Sequence, residues 1–407
     1  MTIDEIRKEF PALSTKVYGK DLVYFDNAAT SQRPRSVLEK WNEVSVQSNA
    51  NIHRAVHYLA SQATQAYEQA RDCVRDFINA SSREEIVFTS GATASVNLVA
   101  YSFGEAFISP SDEIIVAQDG HHSNIVPWQL MCLRKGAVLR VIPVDDNGNL
   151  ELDELAKMLN VRTKLVAVSH VSNVLGIVHP VRKIVDMCHS KGVPVLVDGA
   201  QGIVHCKVDV KDLGCDFYVF SGHKMYAAPG TGVLYGKRKW LDLLPPFMSG
   251  GEMVGTVSFS GTTFAPVPLK FEAGTQNFAG AATFVPAIET VLSFRDGECR
   301  EREDAIKAYL YDKLLSNNRI HLFGKPRSLE DKIPLFSFVV EGAHHEDLAL
   351  ILDKMGIAVR SGQMCAEPLM ERFGVTGMLR VSLAPYNTME EVEYFVESFE
   401  RAVRMVI

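Results

Sequence analysis

The chain has 407 residues, with 42 basic and 49 acidic side chains, a formal net charge of −7 and 47% hydrophobic residues. This composition excludes a wholly disordered chain. The slight acidic excess comes without a cluster of basic residues, which argues against a dedicated nucleic-acid-binding protein. No apolar run reaches the roughly 18 residues that a membrane-spanning helix needs, and the first residues lack the apolar core of a signal peptide. We therefore expect a cytoplasmic protein with no membrane partner.

Hydrophobic runs and helical patterns alternate over the first 240 residues. Runs rich in Val and Ile predict strands at residues 85–90, 112–118, 137–144, 164–171, 193–199, 217–222 and 231–236. Helical periodicity is found at residues 61–80, 123–136, 152–160 and 180–192. Buried strands separated by helices indicate an α/β fold with a mainly parallel sheet covered on both faces. The active site of such a sheet lies at the carboxyl ends of its strands.

The pattern changes from about residue 260. Residues 261–280 are rich in Gly, Thr and Pro and predict a loop. Further helices are predicted at 282–316, around 346–355 and at the C-terminus, with strands in IPLFSFVVEG, IAVRSG and MLRVSLAPYN. We expect a large domain over residues 21–280, a smaller α+β domain over 281–407 and an N-terminal segment, 1–20, that packs with the small domain.

Seven cysteines are spread along the chain, at positions 73, 132, 188, 206, 215, 299 and 365. No two have the C-x-x-C spacing of a zinc or redox site, and their odd number and wide gaps do not fit a disulfide framework. Most are therefore expected to be ordinary buried side chains. Only Cys365 lies in a polar, glycine-containing loop beside an arginine, which makes it the candidate for a reactive thiol.

Two predicted strands end in charged residues. YVFSGHK ends with Lys224, and VLVDGAQ carries Asp198, 26 residues earlier. Desolvation lowers the pKa of a lysine and favours the neutral amine that Schiff-base chemistry needs. A carboxylate that pairs with a pyridine nitrogen is the second requirement of a pyridoxal phosphate site. Taken singly, Lys224 could run along the sheet edge to water, and Asp198 could cap a helix; a metal site lacks further ligands at suitable spacing.

Two strand-to-helix junctions could contribute to the same site. In TSGATASVN, Ala92 and Thr93 could offer backbone N–H groups and a hydroxyl to a phosphate at the positive end of the next helix. A plain helix N-cap is an equal alternative. His121 in GHHSN could stack on a cofactor ring or be a capping or surface histidine. The sequence has no P-loop and no G-x-G-x-x-G fingerprint, so nucleotide binding is not indicated.

The combination of these motifs resembles one enzyme family. With YFDNAATSQRP, NIHRAVHYLA, VSHVSNVLG, FEAGTQN and IAVRSGQMCAEPLM, the chain is similar to fold-type I, class V aminotransferase-like enzymes, specifically the SufS/CsdA-type (group II) cysteine desulfurases. The resemblance covers nearly the whole chain. It implies a pyridoxal 5'-phosphate cofactor, a homodimer and conversion of L-cysteine to L-alanine. The sulfur would pass as a persulfide to an acceptor protein of the SufE or SufU kind for iron–sulfur cluster assembly, and L-selenocysteine is a second candidate substrate.

The resemblance also implies roles for individual residues. Lys224 would form the Schiff base with the cofactor and move protons, His121 would stack on the ring, and Cys365 would take up sulfur. The other cofactor contacts would be Asp198 to the pyridine nitrogen, Gln201 to the phenolic oxygen, and Ala92, Thr93, Ser221, His223 and, from the other subunit, Thr275 to the phosphate. The substrate contacts would be Asn173 and Arg380 for its carboxylate, with Ala28, Arg54 and Arg360 bordering the pocket.

The sequence departs from the family at positions that bear on activity. Gln363–Met364 precedes Cys365 where two histidines are usual, Gly120 replaces a glutamate, and residues 92–94 read Ala-Thr-Ala where the family has Thr-Thr-Glu. Glu367 would raise the pKa of the Cys365 thiol if the two lie close. We therefore expect modest turnover. A selenocysteine lyase, another class V aminotransferase or lyase, and a non-catalytic partner of sulfur transfer stay open as alternatives.

Overall fold

We describe the fold from a computed structural model, which covers residues 2–295 and 297–407. Its largest element is a seven-stranded sheet. The strands, in spatial order, are Ile86–Thr89, Gly232–Gly236, Phe217–Ser221, Val195–Asp198, Thr163–Ser169, Glu113–Ala117 and Val138–Ile142. Gly232–Gly236 runs antiparallel to both of its neighbours, and the other strands share one direction. The prediction of a mainly parallel α/β sheet is confirmed.

Side chains alternate between two hydrophobic clusters, one on each face of this sheet. In the first strand, Ile86 and Phe88 belong to one cluster and Val87 to the other, as the two-residue period of a strand requires. Helix Tyr58–Phe77 packs into the first cluster and helix Ala92–Phe107 into the second. Burial on both faces explains why these strands are near-continuous apolar runs in the sequence.

The remaining regular structure belongs mainly to a four-stranded antiparallel sheet and the helices around it. Its strands, in spatial order, are Ile320–Phe323, Leu335–Val340, Met378–Ser382 and Arg360–Gly362. The α-helices of the described chain are Ile3–Glu9, Arg35–Gln47, Tyr58–Phe77, Ala92–Phe107, Val126–Lys135, Leu152–Met158, Val181–His189, Gly202–His205, Val210–Leu213, Arg238–Leu243, Phe278–Ala282, Phe284–Phe294, Glu298–Ser316, His345–Lys354, Glu367–Phe373 and Met389–Val406. Within the described residues, no helix combines the length and apolar character that crossing a membrane requires.

The N-terminal helix is fastened to the C-terminal one. Arg7 pairs with Glu391 at 2.7 Å, and the strand Val23–Tyr24 runs parallel to Ile357–Ala358. The C-terminal helix begins with a capping box. The Thr388 hydroxyl accepts the Glu391 backbone N–H, and the Glu391 carboxylate accepts the Thr388 backbone N–H. The predicted domain limits at residues 20 and 280 stay a prediction.

Part of the region predicted as loop is a β-hairpin. Val254–Ser258 pairs with Gly261–Phe264, and Phe278–Ala282 is helical, so the loop prediction for residues 261–280 is wrong at both ends. The hairpin is exposed on both faces, with Val257 and Phe259 among its exposed side chains. Because neither face is buried, the sequence lacks the apolar alternation that marks a strand.

A buried ion pair joins the segment after the hairpin to the large sheet. Arg71 donates to both carboxylate oxygens of Glu272, at 2.7 and 2.9 Å. The Tyr67 hydroxyl and the Phe88 backbone N–H donate to the same carboxylate at 2.8 and 2.7 Å. Both charged side chains are almost completely excluded from solvent. Arg71 also pairs with the partly exposed Glu68 at 3.1 Å, so Glu272 is its fully buried counter-charge and not its sole one.

Replacing Glu272 by glutamine is expected to lower the free energy of unfolding by about 2–3 kcal/mol, because the buried Arg71 guanidinium would lose its fully buried counter-charge and keep only the partly exposed Glu68 at 3.1 Å. Urea unfolding measures the loss. The matched control is Asp242→Asn, which breaks the exposed ion pair with Arg238 and should cost less than about 1 kcal/mol. Equal losses in the two variants would show that the buried ion pair contributes no more to the free energy of unfolding than the exposed one.

Candidate functional site

A cavity of about 190 Å³ lies at the carboxyl ends of the parallel strands. Asp198 ends its own strand, His121 follows strand Glu113–Ala117, and Lys224 follows strand Phe217–Ser221 in a short 3-10 turn. All three side chains line the cavity. They meet because parallel strands place their carboxyl ends along one edge of a sheet.

The structure brings most of the predicted site residues together at this cavity. The ones that line it are Ala28, Ala92, Thr93, His121, Asn173, Asp198, Gln201, Ser221, His223, Lys224, Arg360, Cys365 and Arg380. Two predicted residues do not line it in this chain. Thr275 lines a second cavity together with Ser90 and Ala94, and Arg54 pairs with Glu252 at 3.1 Å at the surface.

One end of the cavity lies at the start of a helix. Helix Ala92–Phe107 begins after Gly91 without a side-chain cap, and the Ala92 N–H donates to the Ser221 hydroxyl at 2.8 Å. Gly91 has φ +150°, in the region that favours glycine. A Cβ on Gly232 would lie 2.4 Å from the Gly91 Cα, so strand Gly232–Gly236 can lie this close to the Gly91 loop only because residue 232 is glycine. The positive end of a helix without a side-chain cap suits a phosphate.

The middle of the cavity holds a carboxylate and an amine. Asp198 accepts the Ala200 N–H at 3.0 Å, and burial raises the pKa of its carboxyl. Burial also lowers the pKa of the Lys224 amine, although nearby Asp198 opposes that shift. Gln201 is fixed by donating to the Ala28 carbonyl at 2.8 Å. The lowered lysine pKa favours the neutral, nucleophilic amine.

His121 is both a capping residue and part of the cavity wall. The Ser123 N–H donates to the His121 Nδ1 at 3.1 Å, so this nitrogen is an acceptor and the proton is assigned to Nε2. Burial, with Lys224 nearby, lowers the pKa of His121 to about 4. The capping role left open by the sequence is therefore confirmed, and stacking on a cofactor ring stays a prediction; the lowered pKa makes the ring neutral at physiological pH.

A carboxylate that sequence reasoning missed lies between the two arginines of the cavity. Arg380 donates from Nη2 to Asp26 at 3.2 Å and from Nη1 to the Asn173 carbonyl at 2.8 Å, while its buried Nε has no hydrogen-bond partner. Asp26 also lies 3.5 Å from Arg360. Its position inside YFDNAATSQRP was the one available signal, but no spacing rule connects it with residues more than 300 positions away.

Cys365 lies on a loop with an unusual backbone. Met364 and Cys365 both have positive φ angles, 54° and 56°, which L-residues other than glycine rarely adopt. The loop is held by Asn173, whose side-chain amide donates to the Met364 carbonyl at 2.8 Å, and by the His122 N–H, which donates to the Cys365 carbonyl at 2.8 Å. The fold therefore holds the thiol at the cavity wall in a strained conformation.

The other six cysteines differ from Cys365 in their surroundings. All seven lie in the described residues, and only Cys365 is exposed. Burial raises the pKa of Cys132 and Cys206 to about 11 and that of Cys188 and Cys215 to about 12. Such thiols are poor nucleophiles near neutral pH, so the structure leaves Cys365 as the accessible one.

His122, which the sequence analysis did not single out, supports the Cys365 loop. Its Nε2 accepts the Glu367 N–H at 3.1 Å. The Glu367 carboxylate in turn accepts from the Gln363 side chain at 3.3 Å, and Met364 lines the cavity. The expected effect of Glu367 on the pKa of the Cys365 thiol stays a prediction.

The described part of the chain has no group of three or more His, Cys, Asp or Glu side chains placed to hold a metal ion.

The chain is similar to known proteins over nearly its whole length. Residues 23–395 match the family aminotransferase class-V. A probable cysteine desulfurase of Vibrio cholerae is 43% identical over 406 residues, which cover 100% of both chains. Among solved structures, the cysteine desulfurase CsdA of Escherichia coli has 36% identity and a TM-score of 0.91 over 100% of both chains. The apo cysteine desulfurase of Thermococcus onnurineus NA1 has 38% identity and a TM-score of 0.93 over 99% of both. The chain therefore belongs to the class-V aminotransferase family.

Proposed function

We propose that this protein is a pyridoxal 5'-phosphate-dependent cysteine desulfurase that converts L-cysteine to L-alanine and takes up the sulfur on Cys365. The observation that carries the proposal is the exposed thiol of Cys365 on the wall of the cavity that also contains Lys224, Asp198 and Arg380. The full-length similarity to cysteine desulfurases supports it.

The residues of the cavity fit the cofactor of this family. The uncapped start of helix Ala92–Phe107 suits its phosphate, the buried carboxylate of Asp198 suits its pyridine nitrogen, and Lys224 offers an amine to its aldehyde. The neutral ring of His121 is available for stacking on the pyridine ring. When bound, the cofactor supplies an electron sink for the substrate Cα.

Arg380 and Asn173 would hold the substrate carboxylate. The planar guanidinium offers a fork that fits a carboxylate, and the Arg380 Nε is buried without a partner. The Lys224 amine, with its lowered pKa, would take the proton from the substrate Cα and return it later.

Cys365 would then take the sulfur. Its Sγ attacks the substrate sulfur, an S–S bond forms and the substrate Cβ–S bond breaks. The electron pair stays with the substrate carbon, which gains a proton and leaves as L-alanine. In sum, L-cysteine and the Cys365 thiol give L-alanine and the Cys365 persulfide.

We propose that the active unit is a homodimer. Thr275 and Arg54 do not line the cavity of their own chain, which supports a role for them at the cavity of a partner subunit. The exposed hairpin Val254–Phe264, with Phe259 fully exposed, is an apolar surface of the kind that a second subunit covers.

The exposed persulfide would need an acceptor, which we propose to be a protein of the SufE or SufU kind that feeds iron–sulfur cluster assembly. We place the protein in the cytoplasm, because reducing conditions there keep thiols such as its seven free cysteines reduced.

L-Selenocysteine is proposed as a second substrate, since its β-carbon carries selenium in place of sulfur.

Product analysis tests the proposed function. Protein loaded with pyridoxal phosphate and supplied with L-cysteine and a thiol reductant is expected to form L-alanine and sulfide in equal amounts. Pyruvate and ammonia as products would instead show β-elimination, and a keto acid formed without sulfur release would show transamination. Either of these results overturns the desulfurase proposal.

A further inference from the structure

A turn at residues 173–175 brings Asn173 to the wall of the cavity, and its position depends on side chains from a distant part of the chain. Each of its three backbone carbonyls accepts a hydrogen bond from a side chain. The pairs are Arg380 Nη1 to Asn173 at 2.8 Å, Ser337 Oγ to Val174 at 2.5 Å and Lys332 Nζ to Leu175 at 2.5 Å. Ser337 lies opposite Arg380 in the register of their two strands, so these two donors approach the turn side by side.

Backbone pairing holds the residues that follow the turn. The Ile333 N–H donates to the Gly176 carbonyl at 2.9 Å, and the Val178 N–H donates to the Asp331 carbonyl at 2.9 Å. The carbonyls of the turn itself, at residues 173–175, have only side-chain donors among the described residues. Loss of one of these side chains therefore leaves a buried carbonyl unpaired and loosens the turn.

Lys332 is buried without a counter-charge. Its side chain is almost fully excluded from solvent, and its amine also donates to the Gly324 carbonyl at 3.0 Å. Burial and the nearby Lys307 lower the pKa of this amine to about 7, and no carboxylate in the described chain opposes the shift. The ammonium and the neutral amine each have enough N–H donors to join the two carbonyls. A buried amine of this kind is costly for folding, so its value to the protein lies in the contacts it makes.

The turn is linked directly to the loop that carries Cys365. The Asn173 side-chain amide donates to the Met364 carbonyl at 2.8 Å. Met364 and Cys365 are the two residues with positive φ angles in this loop, so the loop needs outside contacts to keep its conformation. A displacement of the turn moves Asn173 and weakens one of these contacts.

We propose that Lys332 and Ser337 are positioning residues for the sulfur-transfer step. They hold the turn at residues 173–175, which places Asn173, and Asn173 holds the strained loop that presents the Cys365 thiol. Neither Lys332 nor Ser337 lines the cavity, so both act through the turn. The inference deepens the proposed function and rests on it, because it assumes that Cys365 takes up the sulfur.

Alkylation of Cys365 in the absence of substrate tests the hold on the loop. Wild-type, Lys332→Met and Ser337→Ala proteins loaded with pyridoxal phosphate are treated with iodoacetamide, and the modified Cys365 peptide is followed by mass spectrometry. We expect the rate at Cys365 to rise by about threefold or more in both variants, because one lost hydrogen bond lets the loop leave its strained conformation more often. If Lys332→Met does not fold, Ser337→Ala, which leaves no large cavity, carries the test. A rate near that of the wild type in either folded variant overturns the proposal.

Two lysine variants serve as controls for the alkylation rate. Lys332→Arg has a guanidinium that can donate to both carbonyls and should keep the rate near that of the wild type. Lys307→Met removes a second buried lysine, which pairs with Asp304 at 2.8 Å instead of with the turn, and should also leave the rate unchanged. An equal rise in Lys307→Met and Lys332→Met would show a general loosening of the fold and would overturn the proposal.

Two rates measured on the same preparations identify the step that is affected. Alanine formation from saturating L-cysteine should fall by about tenfold in Lys332→Met and Ser337→Ala, because the thiol is misplaced. Exchange of the Cα proton of saturating L-alanine with D2O does not need Cys365 and should change by less than about threefold. Equal falls in both rates would place the defect at the cofactor and overturn the proposal.

Failure of the proposed function would be recognised separately. Alkylation of Cys365 is measured without substrate and does not depend on desulfuration. A wild-type protein that forms no alanine from L-cysteine would overturn the proposed function, whereas an unchanged alkylation rate would overturn the positioning role of Lys332 and Ser337.

Discussion

Replacing Lys224 by alanine is expected to lower the turnover of L-cysteine by at least about 10³-fold. Among the described residues that line the cavity, Lys224 is the only lysine. Burial lowers the pKa of its amine. The variant loses both the covalent hold on the cofactor and the group that moves the substrate proton. The absorption spectrum after incubation with pyridoxal phosphate should lack the visible band of a lysine-bound cofactor.

Lys157→Ala is the matched control for this result. Lys157 is exposed and pairs with Glu154 at 2.6 Å on a surface helix, so its loss should leave the rate and the visible band unchanged. A Lys224→Ala protein with the wild-type rate and band would mean that the cofactor is held elsewhere.

Replacing Cys365 by serine has the second largest expected effect. Alanine formation from L-cysteine should fall by at least about 10²-fold, because a hydroxyl cannot replace a thiolate in attacking the substrate sulfur. Lys224 and Asp198 are untouched, so the visible band of the bound cofactor should remain. The rate of alanine formation and the spectrum of the same preparation measure the two effects separately.

Cys73→Ser serves as the control for Cys365→Ser. Cys73 is half-buried on helix Tyr58–Phe77, and burial raises the pKa of its thiol to about 11. Its replacement should leave the rate near that of the wild type. If Cys365→Ser keeps full activity on L-cysteine, as Cys73→Ser should, the Cys365 thiol takes no part in sulfur removal.

The large sheet and the centre of the site could be predicted because each rests on local signals. Apolar strands buried on both faces are visible as continuous runs, and parallel pairing collects their carboxyl ends at one edge. Lys224 and Asp198 each follow such a run directly. Their meeting in one cavity therefore follows from topology, without knowledge of a contact between them.

Contacts between distant segments could not be predicted in this way. Asp26 and Arg380 are far apart in the sequence, and their pairing depends on how the segment after Val23–Tyr24 docks on strand Met378–Ser382. His122 is next to His121, yet the turn of the backbone sends one ring to the cavity and the other to Glu367. No sequence pattern shows that Asp26 meets Arg380 or which way the rings of His121 and His122 point.

The Cys365 loop shows a further limit of sequence reasoning. Two consecutive non-glycine residues, Met364 and Cys365, adopt positive φ angles that their residue types do not favour. Tertiary hydrogen bonds from Asn173 and His122 stabilise this conformation. The role predicted for Thr275 belongs to the proposed homodimer, and no contact within a single chain encodes it.

The identity of the cysteine that carries the persulfide tests the proposed sulfur chemistry most directly. Wild-type protein loaded with pyridoxal phosphate is mixed with L-cysteine, trapped with an alkylating reagent and mapped by mass spectrometry of its peptides. We predict one added sulfur atom on Cys365, none on the other six cysteines, and an equal amount of L-alanine in the first turnover. Alanine formed in that amount with no sulfur on Cys365, or with sulfur on another cysteine, would contradict the role of Cys365.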